Sequence, residues 1–410
     1  MLTVINKMDI KMCIRILAPF IRWRLRKIGL LINSCLHSGI MKYLRYLGMP
    51  LLILMAIYLG AKGQYWAWVY LLILDTIIIA GDAFLGDDKT TPEYRYPMLL
   101  TLLVYINLPV YLIFLTIAIY MSGSVSLPSF EQIIYLVTGS DIALTRHGTA
   151  VWHLAGYVFT GGLLMGSALT IPAHELVHHK KKKMDWLIGN WMMAFTCDSA
   201  FAIEHVHGHH KNVGLATDPA TAKRGESFYL FFLKASLQEH RDGWKIENER
   251  LKKRGHGLIS VYNRMIRGYA RSFLILAAAY YIGGFGGVVV FLGISVFAKL
   301  FLEIVNYMEH YGLVRVPGTP VAPHHSWNTN KRVSSILLYN LTRHSHHHEQ
   351  GSLEFWKLRP YPGAPEMPYG YLTTLYLVAF FPWAYRRMME PRLEDWRNTY
   401  ATEEEKVLMS

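Results

Sequence analysis

Four long apolar runs, residues 44–61, 65–80, 97–121 and 151–173, dictate where this chain can fold; the second is interrupted only by Asp75. A helix of about 20 apolar residues matches the hydrocarbon core of a bilayer, where backbone polar groups must be satisfied internally. Residues 269–305 predict two more spans, turned into a hairpin with a short first arm at Gly283-Gly284-Phe285-Gly286-Gly287. A weaker run, residues 369–385, ends in Arg386-Arg387 and is expected to lie in the interface rather than to cross. The expected architecture is all-α: an integral membrane protein with about six transmembrane helices and a cytosolic, histidine-rich helical cap.

Charge placement sets the expected orientation. Formal net charge is +13, and residues 1–40 carry seven Lys or Arg against one Asp. Lys42 and Arg45 follow before the first span, whereas the predicted outer loops hold little beyond Lys62 and Arg146. The positive-inside rule puts the N-terminus in the cytoplasm, in a bacterial inner membrane. Residues 1–40 read as a basic amphipathic extension on the membrane surface or, alternatively, as a mis-assigned start upstream of Met41. Residues 41–400 read as one membrane domain and residues 401–410 as a polar tail. The charged stretch 237–254 is predicted as a solvated helix. Basic residues flank spans instead of forming a groove interleaved with aromatics, which argues against nucleic acid as a partner.

Twelve of the nineteen histidines fall in four clusters: His174-Glu175-Leu176-Val177-His178-His179, Glu204-His205-Val206-His207-Gly208-His209-His210, Asn306-Tyr307-Met308-Glu309-His310, and Arg343-His344-Ser345-His346-His347-His348. Neutral imidazole is the commonest side-chain metal ligand. Spacings of i, i+4 put two rings on one helix face. Helical phase selects nine ligand candidates: His174, His178, His205, His209, His210, His310, His344, His347 and His348. It leaves His179, His207 and His346 as supporting or surface residues. Nine imidazoles exceed the three or four that one zinc takes, so two transition-metal ions are expected. Imidazoles do not offset metal charge, so Glu175, Glu204, Asp218 and Glu309 are candidate acidic supports. Isolated histidines such as His37, His147, His240 and His256 carry no such signal. With an even number of predicted spans before each cluster, all four share the cytoplasmic side. His174-Glu175-x-x-His178 also matches a zinc-protease motif, but that reading leaves most of the clustered histidines unexplained. A metal transporter would need its ligands along a path inside the spans.

These residues resemble the integral-membrane non-haem di-iron hydroxylases, the alkane hydroxylase and xylene monooxygenase group, and more distantly the membrane fatty-acid desaturases and sterol hydroxylases. Carrying the resemblance are Gly208-His209-His210 with Ala216-Thr217-Asp218-Pro219, Asn306-Tyr307-x-Glu309-His310-Tyr311-Gly312, His324-His325-Ser326-Trp327-Asn328, and Arg343-His344-Ser345. Tyr311-Gly312 after His310 argues against a desaturase. His179 and His346 depart from the alkane hydroxylase pattern, and the ending around Asp395-Trp396 and Tyr400 is similar to xylene-type members. The resemblance implies O2-dependent hydroxylation of a terminal or benzylic methyl group, in an n-alkane or alkyl-aromatic, at two iron ions. Membrane desaturase or lipid hydroxylase activity is the alternative.

The three cysteines, Cys13, Cys35 and Cys197, form no iron–sulfur or rubredoxin-like motif, and no dinucleotide fingerprint is present. Rubredoxin or ferredoxin, with its reductase, is therefore the expected electron donor. Lys180 to Lys183 and Lys331-Arg332 are candidate docking groups for it, although the first set better suits anchoring at lipid headgroups. The hydrophobic substrate is expected to arrive from the bilayer. Trp66, Trp68, Tyr105 and Tyr111 are candidate tunnel residues, with Trp66 and Trp68 also suited to anchoring in the interface.

Overall fold

The computed structural model describes residues 41–409, so the N-terminal extension and His37 lie outside the described residues. Among the described residues, five helices are long and apolar enough to cross a membrane: Met41–Gly60, Trp66–Phe84, Pro97–Tyr120, Val151–His178 and Arg264–His310. No β-strand occurs among the described residues; two isolated bridges are the only extended pairings.

The fifth helix is a hairpin. Gly284 takes φ 58° and ψ −147°, which a side chain would disfavour, and this breaks the helix. Ser272, twelve residues before it, donates to the carbonyl of Ala194 at 2.8 Å. Ser295, eleven residues after it, donates to the adjacent carbonyl of Phe195, also at 2.8 Å. The two arms therefore pass the same depth in opposite directions. With four preceding spans, this makes six helical passages. The first arm starts at Arg264, five residues ahead of the expected start, and is not short.

The fourth span is 28 residues long, about 42 Å at 1.5 Å per residue. It outruns a hydrocarbon core of about 30 Å and carries His174 and His178 beyond it. Residues Gly166–Thr170 form a π turn just ahead of Pro172, whose missing N–H could not continue an α-helical ladder. Below that turn the span packs closely on the second hairpin arm. Cβ atoms on Gly161, Gly162 and Gly166 would collide with Ile294, Phe297 and Phe301 respectively. Small residues at such a crossing let backbones approach in an apolar medium, where packing rather than water exclusion drives association. This crossing holds the histidine-bearing end of the fourth span against the arm that ends at His310.

The helix Tyr371–Phe380 has ten residues, too short to cross, and packs against the second span and the hairpin helix. Asp82 of that span accepts from Ser334 N, Ser334 Oγ and Thr373 Oγ1 at 2.6–2.9 Å, tying the cap to the membrane domain. The charged helix Phe228–Lys252 departs from expectation. It is not simply solvated, because Phe228, Phe231, Ala235, Glu239, Gly243, Glu247 and Leu251 form a buried face at helical spacing. Residues Glu403–Leu408 of the polar tail form a helix with Glu405 buried, so the tail is docked on the domain.

Candidate metal centre

The nine phase-selected histidines meet in two neighbouring groups. His174, His178, His205, His210 and His347 each place a ring nitrogen within 4.8 Å of one another, and His209, His310, His344 and His348 do the same. Within the first group, His174 Nε2 stands 2.6 Å from His205 Nε2, and His210 Nε2 is 3.1 Å from both His205 and His347 Nε2. In the second, His344 Nε2 is 3.2 Å from His310 Nε2 and 2.9 Å from His348 Nε2. The rings of His210 and His348, one from each group, are 4.5 Å apart between centroids.

Local backbone produces this division. The second cluster is not a regular α-helix, because residues His205–His209 form a π turn. The wider turn sends His205 and His210 to the five-histidine group and His209 to the other. On an α-helix His205 and His209 would share a face, and the single focus expected for that pair is not what forms. His344 and His348 stay together at i, i+4, while His347 turns to the five-histidine group. Gly208 leaves room for the Glu204 carboxylate, which a Cβ there would displace. Gly351, which carries no signal in the sequence, backs the five-histidine group. A Cβ on it would sit 3.0 Å from His210 Cε1 and 3.3 Å from His178 Cε1.

A cation fits these donors. His209 Nδ1 bonds to Asp218 at 3.0 and 3.1 Å, and His310 Nδ1 donates to the carbonyl of His325 at 3.0 Å. Nδ1 then carries the proton, and Nε2 presents a bare lone pair to the group. His178 Nε2 and His209 Nε2 are buried without any hydrogen-bond partner. Metal–nitrogen bonds of about 2.1 Å put neighbouring ligand nitrogens about 3 Å apart, close to most of the observed separations. Burial, followed by neighbouring imidazoles, pushes His205, His210, His344, His347 and His348 well below the usual range, in the neutral ligand form.

The four acidic candidates divide. Burial alone would raise Asp218, but the charge and hydrogen bond of His209 outweigh it and hold the carboxylate low. Asp218 in turn holds His209 above its usual range against burial. Glu309 Oε2 lies 3.1 Å from His344 Nε2, and its other oxygen is buried and unpartnered. Glu204 is raised to about 8 by burial and then by Asp218, which favours its neutral form. Glu175 touches no histidine; it accepts the backbone N–H of Phe355 at 3.0 Å. Asp218→Ala is expected to weaken metal binding at the four-histidine group by about 10–100-fold, read by competition with a chelator.

Histidines outside the nine have other contacts. His179 Nδ1 bonds to Asp185 at 2.7 Å, His346 Nδ1 accepts the N–H of Arg359 at 3.0 Å, and His207 is exposed and belongs to neither group. His325, quoted only as part of a motif, holds His310 through its carbonyl.

Of the four tunnel candidates, Tyr111 is fully buried and donates to Gly161 O at 2.8 Å. Trp68 donates to Trp152 O at 3.0 Å, and Trp66 lies beside Lys62 at the start of the second span. Tyr105 lines an apolar groove of about 990 Å³ between the first and third spans, with Leu47, Leu54, Leu102 and Ile106. Its hydroxyl donates to Asp185, the carboxylate that also holds His179. Among the docking candidates, Arg332 is buried and Lys331 pairs with Asp87 at 3.0 Å. Lys182 pairs with Glu354 at 2.8 Å.

Residues 149–387 match the family model described as fatty acid desaturase. The chain is 33% identical over 352 residues to alkane 1-monooxygenase 2 of Alcanivorax borkumensis, covering 81% of this chain and 84% of the relative. It is 31% identical to alkane 1-monooxygenase 1 of Pseudomonas aeruginosa, with 84% and 87% covered. It is 28% identical to the xylene/toluene monooxygenase hydroxylase component XylM of Pseudomonas putida, with 90% and 94% covered.

Proposed function

This chain belongs to the alkane 1-monooxygenase group of the fatty acid desaturase family, and from that premise we propose that it hydroxylates a terminal or benzylic methyl group with O2. The balance is R–CH3 + O2 + 2 e⁻ + 2 H⁺ → R–CH2OH + H2O. The observation that carries the reading is the convergence of nine buried or half-buried imidazoles into two adjacent groups at the ends of membrane spans. His174, His178, His205, His210 and His347 would hold one iron, and His209, His310, His344 and His348 the other. Bound iron supplies the power to activate O2 once two electrons arrive.

The protein's own residues do the rest. Asp218 and the His325 carbonyl fix the tautomers of His209 and His310. The buried cap around the histidines excludes water, so the oxidising chemistry meets substrate C–H bonds rather than solvent. A separate electron donor is required; rubredoxin or ferredoxin with its reductase is the reading that suits a chain without a cysteine motif. The excess of Lys and Arg on the histidine side supports a cytoplasmic face for the centre and a place in a bacterial inner membrane.

The groove between the first and third spans supports lateral arrival of substrate from the bilayer. Tyr105 bounds it on the side of Asp185 and His179. Tyr105→Ala is expected to lengthen the longest accepted chain with iron content unchanged, read as product yield across a series of n-alkanes. An unchanged length profile would place the substrate path elsewhere.

The function itself is tested by giving membranes containing the chain, with reduced donor and O2, n-octane, p-xylene or an acyl thioester. Octan-1-ol or 4-methylbenzyl alcohol is expected. An unsaturated acyl product alone would overturn the hydroxylase reading in favour of a desaturase.

A further inference from the structure

A third cluster, His324, His325 and Glu405, lies outside the nine histidines, and its donor atoms also fall within 4.8 Å of one another. It does not suit a metal. His325 Nδ1 accepts the N–H of Ala322 at 2.9 Å, so Nε2 carries the ring proton and donates to Glu405 Oε1 at 2.7 Å. Both nitrogens of His325 are used, and no lone pair remains for a cation.

The chain of bonds leads instead to the metal centre. Thr402 and Glu405 form a reciprocal cap on the helix Glu403–Leu408, with Glu405 Oε2 accepting Thr402 N–H at 2.9 Å. A cap on an exposed tail needs nothing more, yet Glu405 is 3% exposed and reaches a turn 80 residues away. Its second oxygen also stands 3.2 Å from His324 Nε2, and Trp396 Nε1 donates to His324 O at 2.6 Å. These contacts clamp the short turn Pro323–His325. The carbonyl of that turn's last residue accepts the Nδ1 proton of His310.

We propose that Glu405 is a positioning residue for the four-histidine group, acting through His325 to hold the carbonyl that orients His310. This rests on the reading of those histidines as metal ligands. Hydrogen bonds to the far nitrogen of a ligand imidazole fix its ring and tautomer, and losing such a partner costs about 10–100-fold in metal affinity. Glu405 acts one bond further out, so its loss takes the lower end, about tenfold.

The test is iron(II) titration of the full-length protein in detergent against a competing chelator, which resolves two binding steps. Glu405→Ala is expected to weaken one step about tenfold and leave the other unchanged. Glu405→Gln, which keeps an acceptor for His325 Nε2–H, stays within about twofold of wild type. His325→Ala matches Glu405→Ala, and the double variant is no weaker than the weaker single one, because both act on one path. Glu403→Ala, an exposed partner of Lys406, leaves both steps unchanged. Wild-type affinities in Glu405→Ala, equal weakening of both steps, or additive effects in the double variant would each overturn the proposal while leaving the function standing. A wild-type protein that binds fewer than two metals would overturn both.

Discussion

Turnover is expected to vanish, by more than about 100-fold, in His174→Ala, His210→Ala and His348→Ala, and to stay near wild type in His37→Ala and His256→Ala. The floor follows from the partners around ligands, whose loss alone costs about 10–100-fold. The three losses should differ in metal content. His174 and His210 belong to a group of five, so four imidazoles remain after either change. His348 belongs to a group of four, and only three remain. Iron analysis should therefore show deeper metal loss in His348→Ala than in the other two. His256 stacks on Tyr262 with ring centroids 4.3 Å apart, away from both groups, and its removal touches nothing in the centre. Full activity in two of the three cluster variants would show the ligand set to be wrong.

Lys299→Met is expected to cost about 3–5 kcal/mol of stability, the usual loss when one partner of a buried ion pair is removed. Lys299 sits in the second hairpin arm with Nζ 2.6 Å from Asp198, Glu239 and Glu303. All three carboxylates are buried. Burial would raise Asp198, but Lys299 outweighs it and holds that carboxylate charged. Glu239 is pushed above the usual range by burial and then by Glu303. Removing the ammonium therefore strands buried negative charge rather than releasing it to water. Thermal unfolding in detergent should show a large fall in the midpoint. Adding Asp198→Asn to Lys299→Met should recover part of it by removing a stranded charge. A midpoint equal to wild type in Lys299→Met would mean that water reaches the cluster and the ammonium is dispensable.

Much of the membrane domain was legible along the chain. The four apolar runs match four observed spans to within a few residues, and the glycine-rich break sits where the hairpin turns. Lys299 and Glu303, at i, i+4 within the second hairpin arm, find their partners only in the folded chain. Asp198 and Glu239 were not legible as those partners, because nothing local says that a charged helix far along the chain turns a buried face to that lysine. Glu405 was equally hidden. Its spacing from Thr402 signals a helix cap, and its bond to His325 spans 80 residues.

The sequence by itself determined a helical membrane protein with an imidazole-rich centre, since apolar length, helical spacing and ligand chemistry are properties of short segments. It also selected the nine histidines that the fold brings together. How those nine divide into five and four was decided only in three dimensions. The π turn at His205–His209 shifts the phase that an α-helix would impose, and the close crossing at Gly161, Gly162 and Gly166 sets the fourth span against the hairpin arm. Which acids serve the centre was likewise a tertiary outcome. Asp218 and Glu309 reach histidine nitrogens, while Glu175, adjacent to His174 in sequence, points to the backbone of Phe355. Neighbours on a helix diverge by about 100° per residue, so adjacency in the chain does not place a carboxylate at the metal, whereas packing between elements does.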